Sequence, residues 1–301
     1  MQTNGLLEHE VAGTDRTVEA VAQIDRQVSK IKSSEIANAF QDGPQQWSET
    51  AAKAKKGEET EKRSNGRKKP AGPAASKVLT AGAAGWEITV YTDPLCCWTW
   101  AMRTAWQTFL QQYAIQNVRY KMAGLLPSWR HFSDHRNAIS RPIQMGPEWM
   151  HARVLSGAVL DDTIWINDPP ASSYPACIAV KAAGLQGAAC ADEYFFLAQQ
   201  AVMTSRRNIA RMPVLLALGK KLSASNNAFS LNTFAADLTG SRAKELFRKD
   251  MTDWRSAGLN RLPAIVFRNS NGKAYSLTGF QTLGSLHQFA CLTGSQQADP
   301  P

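Results

Sequence analysis

The chain has 301 residues, 44% of them apolar, and a formal charge of +9. That length suits one large domain or two small ones with a sizeable core. No compact basic–aromatic cluster marks a nucleic-acid groove binder, and no run of about 18 uninterrupted apolar residues offers a membrane span.

Residues 1–84 differ in character from the rest of the chain. They are rich in Gln, Ser, Glu, Lys and Ala, and their aromatics are Phe40 and Trp47. Residues 53–77 carry nine positive and three negative charges with interspersed Pro and Gly. Such a stretch buries too little apolar surface to offset its ordering entropy, so 1–84 reads as a disordered basic and polar extension. Within it Val18, Val21, Ile24 and Val28 recur at helical spacing, which fits a transient or partner-docking helix across 14–40.

The character changes at Trp86. WEITVY (86–91) is a short β-rich run and reads as a buried strand. After the turn TDPLCCWTW (92–100), Met102, Trp106, Phe109, Leu110 and Tyr113 keep a helical period, and VRYKM (118–122) forms a second strand. Residues 123–160 read as loop with short helices. Helices are expected over Tyr174–Gly187, Asp192–Ala201, Asn208–Leu222, Leu231–Leu238 and Arg242–Ala257. LPAIVF (262–267), the turn NSNG and KAYSLT (273–278) read as a hairpin, and 282–292 as a closing helix with Leu283, Leu286, Phe289 and Ala290 inward. A βαβ unit implies a parallel pair with a right-handed crossover, and the hairpin adds antiparallel strands. The order βαβ, helical block, ββα fits an α/β, thioredoxin-like sheet over 85–295 with a helical domain inserted at about 125–257, and a tail at 296–301.

The five cysteines are sparse and odd in number, which argues against a disulfide framework. With no basic, apolar leader at the N-terminus, the expectation is a soluble protein of a reducing cytosol. Cys96 falls between a strand and a helix, where unpaired backbone N–H groups and the helix dipole favour a thiolate. This predicts a reactive Cys96 with a depressed pKa; the plainer alternative is a small buried core residue. Cys97 is expected to be partly exposed, with a vicinal disulfide to Cys96 as an open alternative despite its awkward ring. Cys177, Cys190 and Cys291 lie on apolar faces and read as core.

The stretch Asp93-Pro94-Leu95-Cys96-Cys97-Trp98-Thr99-Trp100 resembles the Asp-Pro-x-Cys-x-x-Cys-Trp active-site segment of DsbA-like thioredoxin-fold proteins. MAGLLPSW (122–129), DPPASSYPACIAVKAA (168–183), AVMTSRRNIA (201–210) and GLNRLPAIVF (258–267) are similar to the cytosolic branch with FrnE-type oxidoreductases and YjbH-type protease adapters. The resemblance covers about residues 86–293. It implies that Cys96 is the nucleophile, that Thr99 stands where the resolving cysteine belongs, and that the Leu262–Pro263 bond is cis and lies against Cys96. Leu262 would then offer its backbone to an extended client. Pro94, Trp98 and Trp100 join Leu262 as substrate-binding candidates.

A dithiol enzyme needs a second thiol to resolve its mixed disulfide, and Thr99 cannot supply one. Its hydroxyl could donate to a Cys96 thiolate. The resemblance thus implies a monothiol thiol–disulfide oxidoreductase acting on protein or peptide clients, with no resident cofactor and glutathione as an optional co-substrate. The alternatives are a non-catalytic adapter that binds protein clients, including for a protease complex, and a kappa-like glutathione-dependent transferase or isomerase. No specific nucleic-acid or membrane partner is expected. His131 and His135 would share a helix face but lack a third ligand, so no metal is expected. Arg206, Arg207 and Arg211 form a basic cluster that reads as a solvated face.

Overall fold

The computed structural model describes residues 86–295 apart from Arg136. The expected N-terminal extension, its 14–40 helix and the tail at 296–301 lie outside the described residues.

Strand β1 (Glu87–Thr92) runs through the middle of a four-stranded sheet of order β2-β1-β3-β4. It pairs in parallel with β2 (Val118–Met122), Val90 opposite Tyr120, and antiparallel with β3 (Ala264–Arg268), Val90 opposite Ile265. β4 (Ala274–Thr278) closes the hairpin at one edge. The β-branched run of β1 suits a strand covered on both faces, and Ile88 and Val90 are buried. In the hairpin turn Gly272 takes φ +80°, a left-handed value that glycine accepts without strain. The Asn269 side chain accepts from the Lys273 N–H at 2.9 Å.

The helix expected after the turn is interrupted at Met102. Helix α1 (Cys97–Ala101) ends there and α2 (Arg103–Gln112) begins. The backbone stays linked across the break: the Met102 N–H donates to Trp98 O and the Met102 O accepts from Trp106 N–H. The two pieces serve different cores. Trp106 and Phe109 of α2 join Ile88, Val90, Ile265 and Phe267 beside the sheet. Trp98 and Trp100 of α1 enter the core of the helical block.

That block lies between β2 and β3. It comprises α3 (Met145–Ser156), α4 (Ile164–Asn167), α5 (Tyr174–Gly184), α6 (Ala188–Ser205), α7 (Met212–Ser225), α8 (Leu231–Thr239) and α9 (Ser241–Ser256). Helix α10 (Leu283–Ser295) then returns to the sheet, with Leu286 and Ala290 buried against it. Cys177 and Cys190 are core residues as expected, whereas Cys291 is exposed. It sits on the outer side of α10, one residue past the inward Ala290, so apolar neighbours in sequence did not place it inside.

Candidate functional site

The C-terminal end of β1 leads directly into the site. Asp93 makes the turn: its backbone O accepts from Cys96 N–H at 2.9 Å and its Oδ1 from Leu95 N–H at 2.8 Å. Cys96 then caps α1 in an extended conformation, with no side-chain cap bond. Residues 93–100 are all buried.

Cys96 is 4% exposed, and this overturns the expected depressed pKa. Burial pushes its thiol up to about 11, the Thr99 hydroxyl and backbone N–H pull the other way, and Asp93 adds a repulsive charge. A five-residue helix contributes too small a dipole to reverse the loss of water. Cys97 is buried to the same extent rather than partly exposed. Burial, then Cys96, then Glu148 hold its thiol well above the ordinary value. Both thiols are free.

Thr99 sits within hydrogen-bonding reach of the Cys96 sulfur. Its Oγ1 lies 2.7 Å from Oγ1 of Thr92, which is fully buried. A hydroxyl carries one proton, so when Thr99 donates to Cys96 it accepts from Thr92.

A cleft of about 570 Å³ opens beside this turn, lined by Cys96, Cys97 and Trp98 together with Leu125, Glu148 and Leu262, among others. The Leu262–Pro263 bond is cis, and the Pro263 carbonyl accepts from Gly279 N–H at 2.7 Å. Trp98 turns its indole N–H to Glu148 at 2.5 Å and packs edge-on against His151. Of the other sequence-predicted residues, Pro94, Thr99, Trp100 and Pro263 are buried beside or beneath the cleft without lining it. Trp100 turns away altogether, donating to Val159 O at 2.9 Å and stacking on Phe196.

His131 and His135 occupy a loop, not a helix, and contact Ser128 and Ser133. Arg206 and Arg211 pair with Asp161 and Asp168. Sequence reasoning missed Asp93, Thr92 and Glu148. Asp93 offered a signal, a carboxylate three residues before the cysteine. Glu148 offered none, because its partner Trp98 is 50 residues away.

A mixed sheet with a helical insertion between its parallel and antiparallel halves, a cysteine at the head of the first helix and a cis-proline beside its cleft define a DsbA-like thioredoxin-fold protein. The thioredoxin family model matches residues 90–288, and the chain belongs to that family. Two solved structures share the fold. A protein disulfide isomerase candidate from Nitrosomonas europaea has a TM-score of 0.55 at 19% identity, covering 71% of this chain and 100% of that one. The cytosolic disulfide reductase DsbM from Pseudomonas aeruginosa has a TM-score of 0.52 at 20% identity, covering 70% and 98%. Among curated relatives, the ClpXP adapter protein SpxH of Halalkalibacterium halodurans is 25% identical over 187 residues, 62% of this chain. The matched region spans 59% of that adapter's length.

Proposed function

We propose that this chain is a client-binding protein of the adapter kind, in which the thioredoxin-fold cleft holds an extended protein segment without turning over disulfides. One observation carries this reading: Leu262, which precedes cis-Pro263, lines the same cleft as Cys96, and Cys96 is buried as a thiol, with Thr99 standing where the resemblance puts the resolving cysteine. The client would lie along Leu262 by backbone pairing, with Leu125 and Trp98 framing its side chains. The SpxH relatives support the same use of the fold, with a protease complex as the downstream partner. A cytosolic setting accompanies this role.

The test compares binding of a labelled, cysteine-free extended peptide to wild type, Cys96→Ala and Leu125→Arg. Equal affinity for wild type and Cys96→Ala, with loss in Leu125→Arg, is expected. Insulin reduction that depends on Cys96 and exceeds the rate of a free thiol overturns the reading.

A second reading is favoured by the two Thr99 donors that reach the Cys96 sulfur. Once a client displaces the surrounding side chains, a Cys96 thiolate could attack a client disulfide, forming a mixed disulfide and releasing the other client sulfur as a thiolate. Glutathione or a client thiol would then displace Cys96 and carry the new disulfide away.

A further inference from the structure

Asp93 is fully buried, yet its carboxylate is surrounded by donors. Oδ1 accepts from Leu95 N–H at 2.8 Å. Oδ2 accepts from Leu125 N–H at 2.6 Å, from Ser173 Oγ at 2.7 Å and from Cys177 Sγ at 3.3 Å. A backbone N–H therefore points at each oxygen, and neither N–H can rotate away or accept. A carboxyl proton could go only to Ser173 Oγ or Cys177 Sγ, the two partners able to accept, and four donors on two oxygens favour the anion against the cost of burial. Burial outweighs the opposing bonds from Leu95, Ser173, Leu125 and Cys177 and leaves this carboxyl raised above its ordinary value.

The donors come from three parts of the chain: the turn that presents Cys96, the 123–126 loop that lines the cleft, and the start of α5. We propose that Asp93 is the positioning residue of this site, its buried carboxylate clamping the Cys96 turn to the cleft loop and to α5 while its charge opposes a second anion at Cys96. The other ionisable groups that bear on the pair are Cys97, Cys177 and Tyr174, and Glu148 acts on Cys97 in turn. Asp93 is the one whose charge acts on Cys96 from beneath the turn. Cys96 is thereby kept as a thiol beside the cleft. Asp93 plays this part whether or not a client occupies that cleft.

The test is the pH profile of Cys96 alkylation by iodoacetamide, read by peptide mass spectrometry in a Cys97→Ala background. In Asp93→Asn the inflection should move down from about 11, raising the rate at pH 8 about tenfold, the effect of one pKa unit. Loosening of the turn would rehydrate the sulfur and lower the inflection as well, so Ser173→Ala, which removes one clamp bond and keeps the charge, is the control: an equal fall in both variants overturns the proposal, as does an unchanged profile in Asp93→Asn. Should Asp93→Asn fail to fold, Ser173→Ala serves. It deletes one donor while the carboxylate stays ionised through the Cys96 titration, so the inflection should hold near that of wild type while amide exchange at Leu125 quickens. Unchanged Leu125 exchange, or an inflection that falls, in folded Ser173→Ala overturns the proposal equally.

Discussion

At the head of α1 the Cys96 sulfur gains little from a five-residue helix and gives up nearly all of its water. Thr99 returns part of that loss through its hydroxyl and N–H, but burial dominates and the thiol sits at about 11 against an ordinary 9.0. A difference of that size lowers the thiolate fraction at neutral pH about a hundredfold. Cys96 should accordingly react with iodoacetamide about a hundredfold more slowly than a free model thiol at pH 8. A rate matching the model thiol would show that the cleft is far more open than its burial indicates. The same displacement has a sign for stability. Between pH 9 and 11 the unfolded chain loses the Cys96 proton while the folded chain keeps it, so this group's contribution to stability falls as pH rises through that window. Chemical denaturation of wild type and Cys96→Ala should therefore diverge above pH 9, wild type losing more.

The elements show what local pattern reveals and what it hides. The β-branched runs of β1 and β3 and the NSNG turn are local signals, and the sheet follows them to within about two residues. The closing helix was legible for the same reason, its apolar positions recurring on one face. The break at Met102 was not, because the apolar period runs unbroken from Met102 to Tyr113 while Trp98 and Trp100 answer to a different core. The site was half legible. Cys96, Thr99 and Leu262–Pro263 announced themselves, but Asp93 takes its meaning from partners 32 and 80 residues away. Helix packing is hidden in the same way. Gly219 reads as a mild defect in α7, yet a Cβ there would stand 2.7 Å from the Phe234 ring of α8. That ring is fully buried and held between Tyr194 and Phe229, so it cannot swing aside cheaply. Gly219→Ala gains about 1 kcal/mol in helix propensity but costs about 1–3 kcal/mol in overpacking. The clash lies at the severe end, which leaves a net loss of about 2 kcal/mol and an expected fall in melting temperature of about 4–8 °C. Calorimetry checks it, and Phe234→Leu on top of Gly219→Ala should recover part of the loss; a stabilised Gly219→Ala would show that α7 and α8 separate freely.

On the scale of the whole domain, the helical block must be fixed to the sheet it interrupts, or the cleft between them has no defined width. Asp250 of α9 makes that attachment. It is 7% exposed, pairs with Lys181 of α5 and accepts from the Met122 N–H at the end of β2 at 2.9 Å. One turn further along α9, Asp253 binds Lys121 at 2.5 Å, nearer the surface. Two helices and a strand thus meet at one carboxylate, and the next residue after Met122 continues the connection: the Ala123 N–H donates to Thr92 O, beside the Thr99 hydroxyl. Replacing Asp250 by Ala leaves a largely buried ammonium and a backbone N–H without their acceptor, a change that costs about 3–5 kcal/mol in comparable sites. Lys181 keeps a long contact to Tyr120 O at 3.4 Å, which places the expected loss toward the lower figure. Urea denaturation should show it as a lower midpoint. Adding Lys181→Met should recover much of it, since the pair's desolvation disappears with the second charge. The site should feel the change as well. Because the strand end and the cleft loop share this anchor, amide exchange at Leu125 should speed up in Asp250→Ala beyond what global destabilisation explains. Exchange that merely tracks global stability would mean that the cleft wall is held by Asp93 alone.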